Sequence, residues 1–263
     1  MRPGILALFG SIALLGPTAS AQTPVISSGG IVNAAGLGGS TTIAPGSLIS
    51  IYGNNLAAAL AVADSLTLST KLADVDSVTI NGLSAPLRFV SGGQINAQAP
   101  WNLIAGPANV VVTRSGTASA PVAAQVASFS PALYGFGGTT LAIAVNADGT
   151  VTAPAGAIPG VTSHPAAAGD SIFFYASGLG PLDQRPPADG VNSLDATRRT
   201  SNPLTVLVGG TPARVDFSGL SPQFTGVYQV NITLPAGGLG DAVPLRLMIG
   251  GASSPDALNI ALR

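Results

Sequence analysis

The chain has 263 residues and a formal net charge of -1, with charged residues at 8%, against roughly 25% in an ordinary globular protein. All eleven acids are aspartate, Lys71 is the sole lysine, and there is one histidine and no cysteine, which excludes a disulfide framework, a thiolate nucleophile and a zinc–thiolate site. The missing glutamate argues against long solvated helices, the near-neutral balance offers no footprint for nucleic acid, and 46% hydrophobic residues argue against wholesale disorder.

In chain order, the first element is a leader. Met1-Arg2 supplies a positive end, Ile5 to Leu15 is apolar apart from Gly10 and Ser11, and Ala19-Ser20-Ala21 ends on small residues. That order predicts a signal peptide over 1–21, cleaved before Gln22 and directing the chain to the periplasm, the cell surface or the medium. The apolar run is well short of the ~20 residues a membrane-spanning helix needs, and no later stretch is longer.

From there the sequence reads as strands. Runs rich in Val, Ile, Thr, Phe and Tyr recur at Leu48–Tyr52, Val75–Ile80, Ala108–Thr113, Leu141–Val145, Ser171–Tyr175, Leu204–Val208, Val227–Leu234 and Val243–Ile249. Turn signals separate them: Asn81-Gly82, Asp148-Gly149 and Gly209-Gly210 read as hairpin turns, because glycine tolerates positive φ. Short strands at close, regular spacing are the signature of a β-sandwich.

The sandwich pattern occurs twice. Ala44 to Leu56 aligns without gaps to Ala167 to Leu179, matching Gly46 to Gly169, Tyr52 to Tyr175 and Leu56 to Leu179 at an offset of 123. Asn81-Gly82 through Phe89 aligns to Gly209-Gly210 through Phe217 at an offset of 128, and Gln94-Ile-Asn96 with Pro100 aligns to Gln229-Val-Asn231 with Pro235 at an offset of 135. The order of the blocks is kept and the offset grows only by insertions, as in a duplication. The expected fold is therefore all-β: two tandem immunoglobulin-like β-sandwiches over 22–130 and 131–263. Tyr52 and Tyr175, in equivalent strands, are expected in the cores.

The phrase Ala44-Pro-Gly-Ser-Leu-Ile-Ser-Ile-Tyr-Gly-Asn-Asn-Leu56, followed by an Asn-Gly hairpin and Pro86 to Phe89, resembles an IPT/TIG immunoglobulin-like domain. Val32-Asn-Ala-Ala35, Gly93-Gln-Ile-Asn96, Pro100-Trp101, Tyr175 to Pro181 and Gly226 to Asn231 are similar to phrases of an uncharacterised family of secreted bacterial proteins. In that family the paired module often forms the C-terminal part of larger extracellular proteins; here the pair is expected to stand by itself. The resemblance implies fold and compartment, not chemistry.

Each constellation that could carry chemistry has a plainer structural reading. Gly169-Asp-Ser171 resembles the nucleophile block of GDS(L)-type esterases, but their base follows the serine, and His164 precedes Ser171. That reads as a turn into a strand, and His164 as a loop residue. Asp74 and Asp76 share one face of a strand, and calcium wants more oxygens than they offer. Gly180 to Asn202 is a long segment holding Arg185, Arg198 and Arg199, and such segments often carry contacts on rigid scaffolds. Gln94, Asn96 and Gln98 alternate with apolar residues, as do Gln229, Asn231 and Thr233, giving amide rows that could meet sugar hydroxyls. Trp101 is either a sugar platform or a plug between the halves. The expectation is a non-catalytic binding or structural module without cofactor, metal or nucleic acid, whose partner is an extracellular protein or polysaccharide. The alternative is a carbohydrate-binding module centred on Trp101. The candidate contacts are Trp101, Gln94, Asn96, Arg185, Arg198 and Arg199.

Overall fold

The computed structural model describes residues 22–37, 39–255 and 258–263; the leader expected over 1–21 lies outside them. The strands of the first half are β1 (Val25–Asn33), β2 (Thr42–Ile43), β3 (Leu48–Asn54), β4 (Ala61–Val62), β5 (Val75–Ile80), β6 (Leu83–Ser84), β7 (Leu87–Val90), β8 (Gln94–Gln98), β9 (Gly106–Arg114), β10 (Thr117–Ala118) and β11 (Val122–Val126). Those of the second half are β12 (Ala132–Leu133), β13 (Ala144–Asn146), β14 (Val151–Thr152), β15 (Ser163–His164), β16 (Ser171–Ser177), β17 (Thr205–Val208), β18 (Thr211–Leu220), β19 (Tyr228–Thr233), β20 (Gly240–Ile249), β21 (Ala252–Ser253) and β22 (Asn259–Leu262). Among the described residues no helix is long and apolar enough to cross a membrane.

The chain is all-β and immunoglobulin-like. In the first half, a sheet ordered β1-β3-β8-β7-β4 faces one ordered β2-β11-β9-β5-β6. The larger strands reproduce the A-B-E-D and C-F-G arrangement of a constant-type immunoglobulin domain. In the second half the same two layers recur as β13-β16-β19-β18 and β17-β20-β22. Here β18 joins them: Thr211–Ala213 pair with β17, and Arg214–Leu220 pair with β19. The corresponding strand of the first half is split into β6 and β7 around Ala85-Pro86, because proline has no N–H to give a ladder.

The three matched blocks occupy corresponding places. Ser50, Ile51 and Tyr52 stand opposite Asn96, Ile95 and Gln94; Phe173, Phe174 and Tyr175 stand opposite Asn231, Val230 and Gln229. The register shift between Leu87 and Phe89 has its counterpart between Val215 and Phe217, so even the bulge is duplicated. Separate cores form between the layers, one from residues within 26–126 and one from residues within 133–262. Burying one Ile or Leu side chain stabilises by about 1.5–3 kcal/mol, and Ile49, Ile51, Ile95, Phe174, Val230 and Ile232 are all fully enclosed.

Tyr52 and Tyr175 are not core residues, contrary to expectation. Ile51 and Phe174 take the inward positions, so alternation turns each following tyrosine outward: Tyr52 is exposed and Tyr175 half-buried.

The halves are gripped together. Asn33 Nδ2 donates to the Ser130 carbonyl at 2.8 Å, Ser130 Oγ donates to the Thr42 carbonyl at 2.7 Å, and Ser130 N donates to the Gly178 carbonyl at 2.9 Å. The connecting segment is thus tied to both halves. Phe129 lies against Gly180 and Gly250, where any Cβ would fall within 2.3 Å of its ring.

Candidate functional site

The segment 180–202 is ordered by internal ties and by bonds to β18, and reaches the first half through Asp189 and Gly190. It is anchored at its start by Tyr228, a fully enclosed residue whose hydroxyl donates to the Gly180 carbonyl; burial pushes this phenol well above its ordinary pKa. Arg198 is 8% exposed. Its guanidinium donates to both oxygens of Asp195 at 2.7 and 2.8 Å, to Ser193 Oγ at 2.9 Å, and to the Arg185 carbonyl at 2.8 Å. The Arg198 fork holds the Asp195 carboxyl down to about 2. Arg198 is therefore an internal brace, which corrects its reading as a ligand contact: its donors face the segment's own acceptors. Arg199 lies over the Phe217 ring, 4.8 Å from its centroid, and its backbone N–H donates to Asp183 at 2.9 Å.

Trp101 lies between the halves. Its ring covers Gly46, where a Cβ would come within 2.2 Å, and it packs against the second core. Its backbone N–H donates to Asp189 Oδ1 at 2.8 Å. With Pro45, Ser128, Gly180, Pro181, Leu182, Gln184 and Pro186 it lines a cleft of about 260 Å³, while its indole N–H is buried without a partner. The ring is engaged at the interface, with Gly46 on one side and the second core packed against it. Gln98, the last of the amide row, is buried too: Nε2 donates to the Gly46 carbonyl at 3.1 Å, and Oε1 accepts from Gly190 N at 2.6 Å.

The other motifs resolve into local ties. Asp170 Oδ2 accepts from Ala167 N at 2.7 Å, closing the turn before Ser171. Asp74 accepts from Arg114 Nε at 2.6 Å and from Ala58 N; partial burial raises its pKa, but these bonds outweigh it and leave it low. Asp76 is held low by Lys71 at 2.8 Å and by the Gly116 N–H.

His164 lies in short strand β15, where a loop was expected. Its Nδ1 is 2.9 Å from the Pro165 carbonyl and its Nε2 2.9 Å from Asp148 Oδ2, so both ring nitrogens face acceptors and neither is turned to Ser171. The Pro165 carbonyl first, then Asp148, raises its pKa; Thr150 first, then His164, holds Asp148 well below the carboxylate range. The raised imidazole stabilises the fold below its unfolded pKa of ~6.5, and this is lost as pH rises through the folded value. The lowered carboxylate stabilises above ~3.9, and this is lost as pH falls through its folded value. An NMR titration of the imidazole protons is expected to give a midpoint above 6.5 that falls in Asp148→Asn; an unshifted midpoint would contradict the pairing.

The outer faces of β3–β8 and β16–β19 carry residues shared by the two halves. In the first half Gln94 Nε2 donates to Asn96 Oδ1 at 2.7 Å, and Ser50 Oγ donates to the same oxygen at 3.1 Å. In the second, Gln229 Nε2 donates to Asn231 Oδ1 at 2.9 Å. Cross-strand pairing sets Phe89 beside Asn96 and Tyr52 beside Gln94, and Phe217 beside Asn231 and Tyr175 beside Gln229. The second face adds Phe173, whose ring meets Tyr175 edge-on at 5.7 Å, and Phe224, which meets Tyr175 edge-on at 5.5 Å. These two rings were missed in the sequence, and the repeat does not mark them: Phe173 aligns to Ser50 and Phe224 lies outside the matched blocks. Gln94 and Asn96 thus lie on this outer face, apart from the role taken by Trp101.

No family model matches the chain, and no curated protein is similar to it in sequence. Solved structures with a similar strand arrangement include the Plexin A4 extracellular region, at 12% identity and TM-score 0.31, covering 96% of this chain and 20% of that one. Another is SGBP-B of the Bacteroides ovatus mixed-linkage glucan utilization locus in complex with a heptasaccharide, at 12% identity and TM-score 0.35, covering 88% and 42%. A third is the I9–I11 tandem of titin, at 11% identity and TM-score 0.22, covering 92% and 67%. The chain spans less than half the length of the first two. Likenesses this remote carry no information about ligands.

Proposed function

We propose that the chain is a secreted, non-catalytic binding module in which two immunoglobulin-like halves, held as one piece, present an outer face to an extracellular partner. The observation behind this reading is where the shared residues stand. Tyr52 and Tyr175, Phe89 and Phe217, Gln94 and Gln229, and Asn96 and Asn231 all sit on outer strand faces, where the cores do not need them. The core keeps some residues, with Ile49 and Leu56 against Ile172 and Leu179, and changes others, with Ile51 against Phe174 and Ala97 against Ile232. Packing accounts for residues kept in a core, whereas the rings and amides kept on the outer faces are turned away from both cores and are free to make contact. The sugar reading centred on Trp101 has less support, because that ring is already engaged by Gly46 and the second core.

The test is a pull-down from the producing cell's envelope and medium with the chain from Gln22 onward, run beside turnover assays on ester and glycoside substrates. One class of component is expected to be retained, less so by the Tyr175→Ala/Asn231→Ala double variant, with no turnover. Retention of nothing, or turnover abolished by Ser171→Ala, would sink the reading.

A further inference from the structure

We infer that the outer face of β16, β18 and β19 is a platform for a neutral polysaccharide, with Phe173, Tyr175 and Phe224 stacking sugar rings and Gln229 and Asn231 bonding their hydroxyls; this rests on the binding-module reading and names its ligand class.

The rows of the sheet set the geometry. Phe173, Asn231 and Phe217 stand abreast on successive strands, and Tyr175, Gln229 and Gly219 form the next row. Strands lie ~4.8 Å apart, so the outer positions of a row are ~10 Å apart with an amide between them. An aromatic ring presents a negative face, which suits the C–H face of a pyranose, whose rim of hydroxyls then reaches the neighbouring amides. Edge-on contacts hold Phe173, Tyr175 and Phe224 in sequence, and Phe224 is 45% exposed.

The amide pair supplies the polar half. One Gln229 N–H is taken by Asn231 Oδ1. Among the described residues this leaves Gln229 Oε1 as an acceptor and the Asn231 NH₂ as a donor without protein partners. A donor and an acceptor side by side complement two adjacent hydroxyls, each of which can give and take a hydrogen bond. The pair is also reachable: Phe217, Gln229 and Asn231 line a cleft of about 240 Å³ whose other wall holds Ser193, Ala196 and Thr197.

Charge argues for a neutral ligand. Arg214 and Asp216 neutralise each other at 3.0 Å, and the Arg199 cation lies over Phe217. Phe173, Tyr175, Gln229 and Asn231 are themselves uncharged, and the Arg199 cation at the far end of the first row is turned onto the Phe217 ring. The first half keeps the amide pair with Tyr52 and Phe89, but has Ser50 where the second has Phe173, so its platform is shorter.

The experiment is affinity electrophoresis of the chain from Gln22 onward through gels holding a soluble β-glucan, a xylan, a galactomannan or the acidic polygalacturonate. At least one neutral polymer is expected to retard the protein. Tyr175→Ala and Asn231→Ala are each expected to weaken that binding about tenfold, as for a central contact residue, with thermal midpoints near that of the parent. Tyr52→Ala, on the other half, is expected to change it less than twofold, roughly the effect of a peripheral contact. Retardation by the acidic polymer alone, or by a neutral polymer equally in parent and variants, overturns the inference. If no polysaccharide retards the chain but the envelope pull-down yields a component lost on Tyr175→Ala/Asn231→Ala, the ligand class is wrong and the module reading stands. If neither assay gives binding, both fall.

Discussion

Phe174→Ala is expected to destabilise the protein by about 3–5 kcal/mol, while Tyr175→Ala, the next residue along, costs about 1 kcal/mol or less. Phe174 is fully enclosed in the second core, flanked across the sheet by Val230. Removing its ring gives up the transfer free energy and leaves a cavity that a close-packed interior closes only in part. Tyr175 points to the other face, where its losses are the edge contacts with Phe173 and Phe224. Denaturant unfolding of the two variants checks this. Similar costs would mean that the outer face assigned to Tyr175 is wrong, and the platform with it.

Gly190→Ala is expected to cost about 2–4 kcal/mol and to loosen the grip between the halves. Gly190 has φ +82, where an L side chain is strained, and a Cβ there would come within 2.4 Å of the Leu68 carbonyl and 3.2 Å of Pro86. The residue is also bonded on both sides. Its N–H donates to Gln98 Oε1 at 2.6 Å and its carbonyl accepts from Leu68 N at 2.8 Å. Relief can come only by moving the 180–202 segment off the first half, which exposes the sole tryptophan, Trp101, beside it. A red shift of the tryptophan emission and faster proteolysis within 180–202 are the readouts. Gly149→Ala is the control: φ is +85 but the space is open, so it brings strain of about 1 kcal/mol and no shift. Unchanged emission in Gly190→Ala would contradict the clamp.

The value of the outer-face variants depends on these results. A variant that unfolds the second sandwich or unseats the halves also abolishes binding, so only substitutions of solvent-facing residues that keep the thermal midpoint report on the ligand. Tyr175 and Asn231 meet that condition because their backbones are bonded on both sides, Asn231 by two ladders and Tyr175 by the β19 ladder and by Tyr134 and Ile143, which side-chain truncation does not touch.

The strand pattern, its duplication and the hairpins at Asn81-Gly82 and Gly209-Gly210 were legible in the sequence by itself, because period-two alternation and positive-φ turns are local properties of a chain. Local pattern also carried the paired amides Gln94 and Asn96, and Gln229 and Asn231, since residues two apart in a strand share a face. It did not decide which face. Tyr52 and Tyr175 look like core residues by type, and only the packing of Ile51 and Phe174 between two layers turned them outward. The 180–202 segment could not be placed either: its arginines read as contacts on a long loop, and it became a clamp through contacts 88 and 92 residues away in sequence, Trp101 with Asp189 and Gln98 with Gly190. Arg198 likewise looked like a free cation until the fold set Asp195, Ser193 and the Arg185 carbonyl around it. Periodicity is written residue by residue, whereas burial depends on what arrives from elsewhere in the chain, and only the folded molecule brings those distant partners together.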